Sequence, residues 1–263
     1  MTLPHDLAGT GPSTVVLLHS GVCDRRMWDG QFHALAGAGH RVVRCDLRGF
    51  GDSPMEAPHT HAEDVRELLD HLGVERAAVV GSSFGGRVAL ELAALHPGRV
   101  RALALLGSAM PGMAPSEELR AWGAREDALI EAGDLDAAVE LNVDTWLGPE
   151  ATEAARAVVR DGQRRAFDLQ LAAPEEHHPV APEVTREDLA RIRVPALVAV
   201  GTHDLPDFRA VADELGSLLP GARRVDVDRA GHLPALDLPE ETARLLLSFL
   251  AEVSALSPGV SAR

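Results

Sequence analysis

Short apolar runs alternate along the chain with longer segments of helical periodicity. Six runs have the length of buried strands and are bounded by turn residues: Val15–Leu18, Arg41–Cys45, Ala77–Val80, Arg101–Leu106, Ala196–Val200 and Arg224–Val227. Apolar residues recur every three or four positions in the segments that follow most of these runs: Asp64–Leu72, Phe84–Leu95, Asp207–Leu219 and Pro239–Val253. This alternation is typical of a mostly parallel sheet that carries helices on its faces.

The middle of the chain has a different pattern. Between residues 108 and 189 the strand pattern is absent, and three helices are predicted in succession: Ser116–Ala132, Leu135–Leu147 and Glu150–Leu171. We therefore expect a sheet domain made of residues 1–107 and 190–263, with a helical cap over residues 108–189. The tail, residues 254–263, is expected to be frayed.

The segment Gly81–Gly86 reads Gly-Ser-Ser-Phe-Gly-Gly and joins a predicted strand to a predicted helix. A G-x-S-x-G motif in that position is typical of a nucleophile elbow, a tight turn that raises the serine hydroxyl above the sheet at a helix N-terminus. We predict that Ser83 is a nucleophile. The alternative is a glycine-rich turn that only connects the two elements.

A serine hydroxyl is a weak nucleophile unless a base removes its proton. In folds with this motif the acid and the histidine follow the serine in chain order. Asp204 comes directly after an apolar run, and His232 lies in a loop after the last predicted strand. We predict His232 as the general base and Asp204 as the acid that orients it. Asp207 is the rival acid, although its place is better suited to the start of a helix.

Two backbone N–H groups are expected to stabilise a developing oxyanion. One belongs to Phe84, the residue after the predicted nucleophile, and the other to the loop after the first predicted strand. Gly21 is the choice in that loop, with Ser20 and Val22 as alternatives.

Taken together, these motifs resemble those of the α/β-hydrolase superfamily over nearly the whole chain. The resemblance rests on LLHSG (residues 17–21), DLRGFGDS (46–53), GSSFGG (81–86), GTHD (201–204) and AGHLPALDLPEE (230–241). It implies an α/β fold with a mostly parallel central sheet flanked by helices and a helical cap inserted after the strand that ends near Leu106. His19, Asp46 and Arg48 are then expected to brace turns. Residues 19–31 resemble the corresponding loop of 3-oxoadipate enol-lactonases and related carboxylesterases, with Ser20 where the family usually has glycine.

The resemblance implies a serine esterase or lactonase that forms an acyl-enzyme on Ser83. Haloalkane dehalogenases and epoxide hydrolases of this fold have an aspartate at the nucleophile position, so they are excluded. Two alternatives stay open. One is a carbon–carbon bond hydrolase of a vinylogous diketone, which uses the same three residue types. The other is a ligand-binding receptor built on the same fold.

Composition restricts the chemistry further. The chain has no tyrosine and no lysine, so Schiff-base chemistry, a Ser–Lys dyad and a P-loop lysine are excluded. A net charge of −15 disfavours nucleic acids and anionic membranes as partners. We expect no cofactor and no metal, because Cys23 and Cys45 lack ligand spacing and the histidines at 59, 61, 177 and 178 are expected in solvated loops.

The substrate is expected to be a small ester or lactone in a mainly apolar pocket under the cap. Candidate lining residues are Trp28, Met110, Trp122, Trp146 and Leu233. The N-terminus shows no secretory signal, and no apolar run is long enough to span a bilayer. We therefore expect a cytoplasmic monomer or homodimer.

Overall fold

A seven-stranded sheet forms the centre of the computed structural model, which describes residues 2–256. The strands are β1 His5–Ala8, β2 Thr14–Leu18, β3 Arg41–Cys45, β4 Ala77–Ser82, β5 Val100–Leu106, β6 Ala196–Gly201 and β7 Ala222–Val227. Their order across the sheet is β1-β3-β2-β4-β5-β6-β7. Only the pair between β1 and β3 is antiparallel among these strands. The predicted mostly parallel sheet is therefore confirmed.

Within the described residues, ten α-helices accompany the sheet. They are α1 Asp29–Gly37, α2 His61–His71, α3 Phe84–Leu95, α4 Glu117–Glu131, α5 Leu135–Trp146, α6 Glu153–Ala172, α7 Arg186–Leu189, α8 Pro206–Leu218, α9 Pro234–Asp237 and α10 Pro239–Ala255. None of the helices in residues 2–256 is long and apolar enough to cross a membrane.

The strands bury both of their faces, because helices pack on each side of the sheet. Successive side chains of β2 illustrate this: Leu18 belongs to the core cluster with α2, α3 and α8, whereas Leu17 belongs to the cluster with α1 and α10. Alternation of side chains along a strand produces this division. It also explains why the strands read as continuous apolar runs.

Helices α4 to α7 occupy the chain between β5 and β6, where helices alone were predicted. Helix α6 is joined to the turn after β3, because Arg165 donates to the carbonyl oxygen of Gly51 (3.0 Å) and Gln170 to that of Gly49 (3.1 Å). The helical insertion thus lies against the strand ends of the sheet domain. The division at residues 107/108 and 189/190 stays a prediction.

The predicted N-termini of two helices differ from those in the structure, because a threonine caps each helix. Helix α2 starts at His61 because the hydroxyl of Thr60 accepts the N–H of Glu63, and α6 starts after Thr152 for the same reason. The sequence analysis missed β1 and α1 altogether. Residues 254 and 255 of the tail predicted to fray belong to α10, and residues 257–263 lie outside the described residues.

The connection from β4 to α3 requires glycine because other backbone lies against it. A Cβ on Gly85 would overlap the carbonyl oxygens of Leu18 and His19, at the end of β2. A Cβ on Gly86 would overlap the side chain of Ser108. Helix α3 can therefore begin directly above the strand ends only with glycine at these two positions.

We predict that Gly85→Ala lowers the free energy of unfolding by about 1–3 kcal/mol, because the new methyl group would push α3 away from β2. Gly123→Ala is the control, since a Cβ on Gly123 in α4 meets no atom within 4 Å. That variant should be stabilised by up to about 1 kcal/mol, because alanine favours a helix more than glycine does. Urea unfolding measures both changes, and equal effects would contradict the packing argument.

Candidate active site

Ser83 stands at the tip of the turn between β4 and α3. Its backbone has φ 50° and ψ −113°, a conformation that a residue with a side chain rarely adopts. The turn is held by neighbouring backbone: the N–H of Ser83 donates to Leu106 (2.9 Å), and its carbonyl accepts from Ala109 (3.0 Å). The structure thus has the strained strand-to-helix geometry that a nucleophile elbow requires.

Three side chains from distant parts of the sequence form one hydrogen-bonded chain at the ends of the strands. Nε2 of His232 lies 2.8 Å from Oγ of Ser83. Nδ1 of the same ring lies 2.9 and 3.0 Å from the two carboxylate oxygens of Asp204. Because a carboxylate accepts, Nδ1 carries the proton and Nε2 is left to accept the serine hydroxyl. Asp204 and His232 are both buried, so water competes little for these bonds.

The rival acid has a different partner. Asp207 accepts the backbone N–H and the hydroxyl of Ser116, both at 2.7 Å, and so joins α8 to the start of α4. Asp204 instead accepts the N–H of Leu205 (2.7 Å), which fixes its carboxylate beside His232. The geometry therefore favours Asp204 over Asp207 as the partner of the histidine.

The helical insertion and the sheet domain together position His232. Its ring packs against the rings of Phe208 and Trp146, with centroids 4.0 and 4.8 Å away, and its backbone N–H donates to the carbonyl oxygen of Trp146 (3.1 Å). Asp237 accepts the N–H groups of Gly231 (2.8 Å) and Gly148 (3.0 Å) and so ties the two loops together. Burial raises the pKa of Asp237, whereas these two N–H groups favour its charged form.

Phe84 and Gly21 face each other beside Ser83. Phe84 is the first residue of α3, so its N–H has no carbonyl one turn earlier in the helix to bond. A Cβ on Gly21 would lie 3.5 Å from Cβ of Phe84. The N–H of Ser20 is directed at Sδ of Met27 (3.2 Å), so it is engaged elsewhere. Val22 is therefore the remaining alternative to Gly21 as the second oxyanion donor.

A cavity of about 280 Å³ opens onto Ser83 and His232. Its lining also includes Ser20, Gly21, Val22, Trp122, Glu126, Asn142, Trp146, Gln163, Phe167, Gln170 and Phe208. Four of these are long polar side chains from α4, α5 and α6. The cavity is therefore of mixed polarity, because aromatic rings line it beside these polar groups, where a mainly apolar pocket was expected.

The polar side chains form a partly satisfied network. Glu126 accepts from the amide of Asn142, whose oxygen accepts the indole N–H of Trp146 (2.8 Å). Burial raises the pKa of Glu126, and the Asn142 amide opposes that rise. The amide oxygen of Gln163 is buried and has no hydrogen-bond partner in the described part of the chain. Glu126 thus contributes a carboxylate to the cavity wall.

Only two of the five predicted lining residues, Trp122 and Trp146, border this cavity. Trp28 and Leu233 are fully buried in the core cluster beside α1 and α10, so they cannot contact a ligand. Met110 is also buried and borders a separate cavity next to Asp207. These three predictions are therefore wrong.

The sequence analysis missed several lining residues, although part of the signal was present. Gln163, Phe167 and Gln170 are spaced four and three residues apart, which places them on one face of α6. Phe208 is in the first turn of α8. The spacing shows that three of these side chains share a helix face, but it does not show that this face borders a cavity.

Two of the histidines expected in solvated loops are buried. His59 and His61 lie next to Asp64, which pairs with Arg48 at 2.8 Å. The ring of His61 also packs edge-on against Phe84, with centroids 5.0 Å apart. The prediction is wrong for this pair, because His61 begins α2 with its ring against Phe84 and the backbone of His59 is bonded to Val180. His178 is exposed, and His177 is hydrogen-bonded to the Met55 carbonyl oxygen (3.2 Å).

His19 and Asp46 hold backbone in place. Nδ1 of His19 contacts the carbonyl oxygen of Ser20 (2.8 Å), and Nε2 accepts the N–H of Leu47 (3.0 Å). Burial lowers the pKa of this histidine. Because Nε2 accepts a backbone N–H, this nitrogen carries no proton and the ring is neutral. Asp46 accepts the N–H groups of Arg25 (2.8 Å) and Asp52 (2.9 Å). Both residues thus hold turns in place.

Comparison with known proteins shows the family of this chain. Residues 13–133 match the family model described as the alpha/beta hydrolase fold. The chain is 31% identical over 287 residues to the proposed carbamate hydrolase RutD of Variovorax paradoxus (strain S110), with 100% of each chain covered. It is 30% identical to 2-hydroxymuconate semialdehyde hydrolase of Pseudomonas putida, with 82% of this chain and 79% of the relative covered.

The chain is also similar to a solved structure. The enol-lactonase from Burkholderia xenovorans LB400 superposes with a TM-score of 0.77 at 28% identity, covering 95% of this chain and 96% of the lactonase. Sheet order, elbow and sequence similarity therefore agree: this chain is a member of the α/β-hydrolase fold family.

Proposed function

We propose that this protein is a serine hydrolase that cleaves a carboxylic ester or lactone through an acyl-enzyme on Ser83. The observation that carries the proposal is the hydrogen-bonded chain from Ser83 through His232 to Asp204, which opens directly into a cavity. Similarity to an enol-lactonase supports the same class of reaction. The proposed roles are nucleophile, general base and orienting acid, respectively.

In the proposed reaction, Nε2 of His232 takes the hydroxyl proton as Oγ of Ser83 attacks the substrate carbonyl carbon. Asp204 stabilises the imidazolium that forms. The N–H groups of Phe84 and Gly21 bind the oxyanion, and each such donor is typically worth about 10²–10³ in rate. The imidazolium then protonates the departing alcohol, and His232 activates the water that hydrolyses the acyl-enzyme.

The cavity suggests the kind of substrate. A volume of about 280 Å³ is suited to a small or medium-sized molecule. The Glu126 carboxylate would repel an anionic group in the cavity. We therefore propose an uncharged substrate.

Carbon–carbon bond hydrolysis is the second candidate, because one relative is a 2-hydroxymuconate semialdehyde hydrolase. Muconate derivatives are carboxylates, and the place of Glu126 in the cavity argues against such an anion here. The carbamate hydrolase relative adds carbamates to the compounds worth assaying. A receptor on this fold would bind its ligand with little or no turnover, so kinetics separates it from every hydrolase.

Ser83→Ala should lower the turnover of p-nitrophenyl acetate and butyrate by at least about 10⁴-fold, because the nucleophile is removed. Ser82→Ala is the matched control, since Ser82 is fully buried and does not line the cavity. Its turnover should stay within a few-fold of wild type. Turnover by Ser83→Ala at the wild-type rate would refute the nucleophile assignment.

Asp204→Asn should lower kcat by about 10³–10⁴-fold with little change in KM, because an amide favours the wrong tautomer of His232. Asp207→Asn should leave kcat nearly unchanged, since that carboxylate bonds Ser116 instead. Steady-state kinetics of the two variants side by side decides between the acids. A larger loss in Asp207→Asn would reverse the assignment.

Glu126→Gln should raise kcat/KM severalfold for esters of a succinate monoanion, but not for the neutral butyrate esters. In the wild-type protein the preference for neutral esters should weaken as pH falls through the raised pKa of Glu126, because protonation removes the repulsion. The ratio of the two kcat/KM values cancels any pH dependence that the two hydrolyses share. Glu118→Gln, an exposed change on the same helix, is the control; an equal shift of the ratio there would contradict the proposal.

A further inference from the structure

A second cluster of chemically capable side chains lies outside the Ser83 cavity. His59, His61 and Asp64 are all buried, and each offers one ligand atom to a site in which these atoms lie within 4.8 Å of one another. His61 and Asp64 are three residues apart in α2 and so share a face of the helix. His59 lies just before the Thr60 cap. Two imidazoles and one carboxylate thus converge on one small volume.

The polar atoms of this cluster are left without partners. Nε2 of His59, Nδ1 of His61 and Oδ2 of Asp64 are buried and make no hydrogen bond within residues 2–256. Each buried polar atom without a partner is destabilising, and native proteins keep few of them. Three unpartnered polar atoms on neighbouring side chains indicate that this cluster binds a ligand.

Contacts around the cluster leave lone pairs free to bind a cation. Nδ1 of His59 lies 3.1 Å from the carbonyl oxygen of Ala57 and donates to it, so Nε2 carries the lone pair. Such a bond from the second ring nitrogen is typical of histidines that bind metals. Arg48 engages one oxygen of Asp64 at 2.8 Å and leaves the other oxygen without a partner.

We propose that His59, His61 and Asp64 form a binding site for a divalent transition-metal cation, with Zn²⁺ as the preferred ion. Imidazole nitrogen and carboxylate oxygen are established zinc ligands, and three protein ligands leave a fourth position for water. Tetrahedral zinc holds its ligand atoms about 3.3–3.5 Å apart, so the side chains close slightly around the ion.

The site has a structural role in this proposal, because none of its three residues lines the Ser83 cavity. It lies where the helical insertion meets the sheet domain, since the N–H of Val180 donates to the carbonyl oxygen of His59 at 2.9 Å. The bound ion would therefore fasten this segment to α2. We expect it to stabilise the fold and to leave the proposed acyl chemistry in place.

Calorimetric titration of the chelator-treated 263-residue protein with Zn²⁺ tests the proposal. We expect the protein to bind one equivalent of Zn²⁺ saturably. Its Tm should be about 5–10 °C above that of the metal-free protein when free Zn²⁺ is at about a hundred times Kd. His59→Gln and His61→Gln should each lose the saturable equivalent and the Tm shift. Their circular dichroism and neutral-ester turnover should stay close to wild type, which shows that they fold.

His33→Gln is the control, because His33 is exposed in α1 and distant in sequence from the cluster. It should keep the one bound Zn²⁺ and the Tm shift. Absence of a saturable equivalent in the wild-type protein would overturn the proposal and leave a buried water as the partner of the three atoms. Undiminished binding by the His59 and His61 variants would also overturn it, because the ion would then lie elsewhere.

Discussion

Ser83 is held with φ 50° between β4 and α3, in a conformation that costs about 1–3 kcal/mol for a residue other than glycine. Surrounding backbone maintains it: Leu106 and Ala109 hydrogen-bond its N–H and carbonyl, and Gly85 lets α3 approach β2. The same turn leaves the N–H of Phe84 beside the hydroxyl. Because the turn fixes the position of Oγ, the rest of the fold must hold the His232 ring within hydrogen-bond distance of it.

Residues of the helical insertion help to hold the His232 ring next to Ser83. Trp146 contacts the His232 ring and accepts its backbone N–H, while Asp237 ties the histidine loop to the loop after α5. Trp146 also borders the cavity and is hydrogen-bonded to Asn142. One helix, α5, therefore takes part both in holding the proposed base and in shaping the space for a substrate.

Strands β2 to β7 and the three proposed catalytic side chains were predictable from the sequence, because both depend on short-range patterns. Buried strands read as apolar runs, and parallel strands bring the residues that follow them to one edge, where Asp204 and His232 meet Ser83. The cavity lining depends instead on how helices pack. Trp28 and Trp122 look alike in sequence, yet only Trp122 borders the cavity.

The polar positions were harder to interpret for the same physical reason. Glu126 and Gln163 lie on amphipathic helices, where polar residues normally indicate the solvent side, and their inward orientation follows from the packing of α4 to α6. His59 and His61 lie in a polar stretch that is typical of a loop, until Thr60 begins α2 between them. The sequence shows which polar groups these residues carry, but it does not show that the groups are buried.

Covalent trapping tests the central claim most directly. The protein would be inactivated with a fluorophosphonate, digested, and the adduct located by mass spectrometry. The account predicts one equivalent of adduct on the hydroxyl of Ser83 and strongly slowed labelling of a His232→Ala variant, because the hydroxyl then lacks its base. Inactivation with the adduct on another residue, or ester turnover that a saturating fluorophosphonate leaves intact, would contradict it.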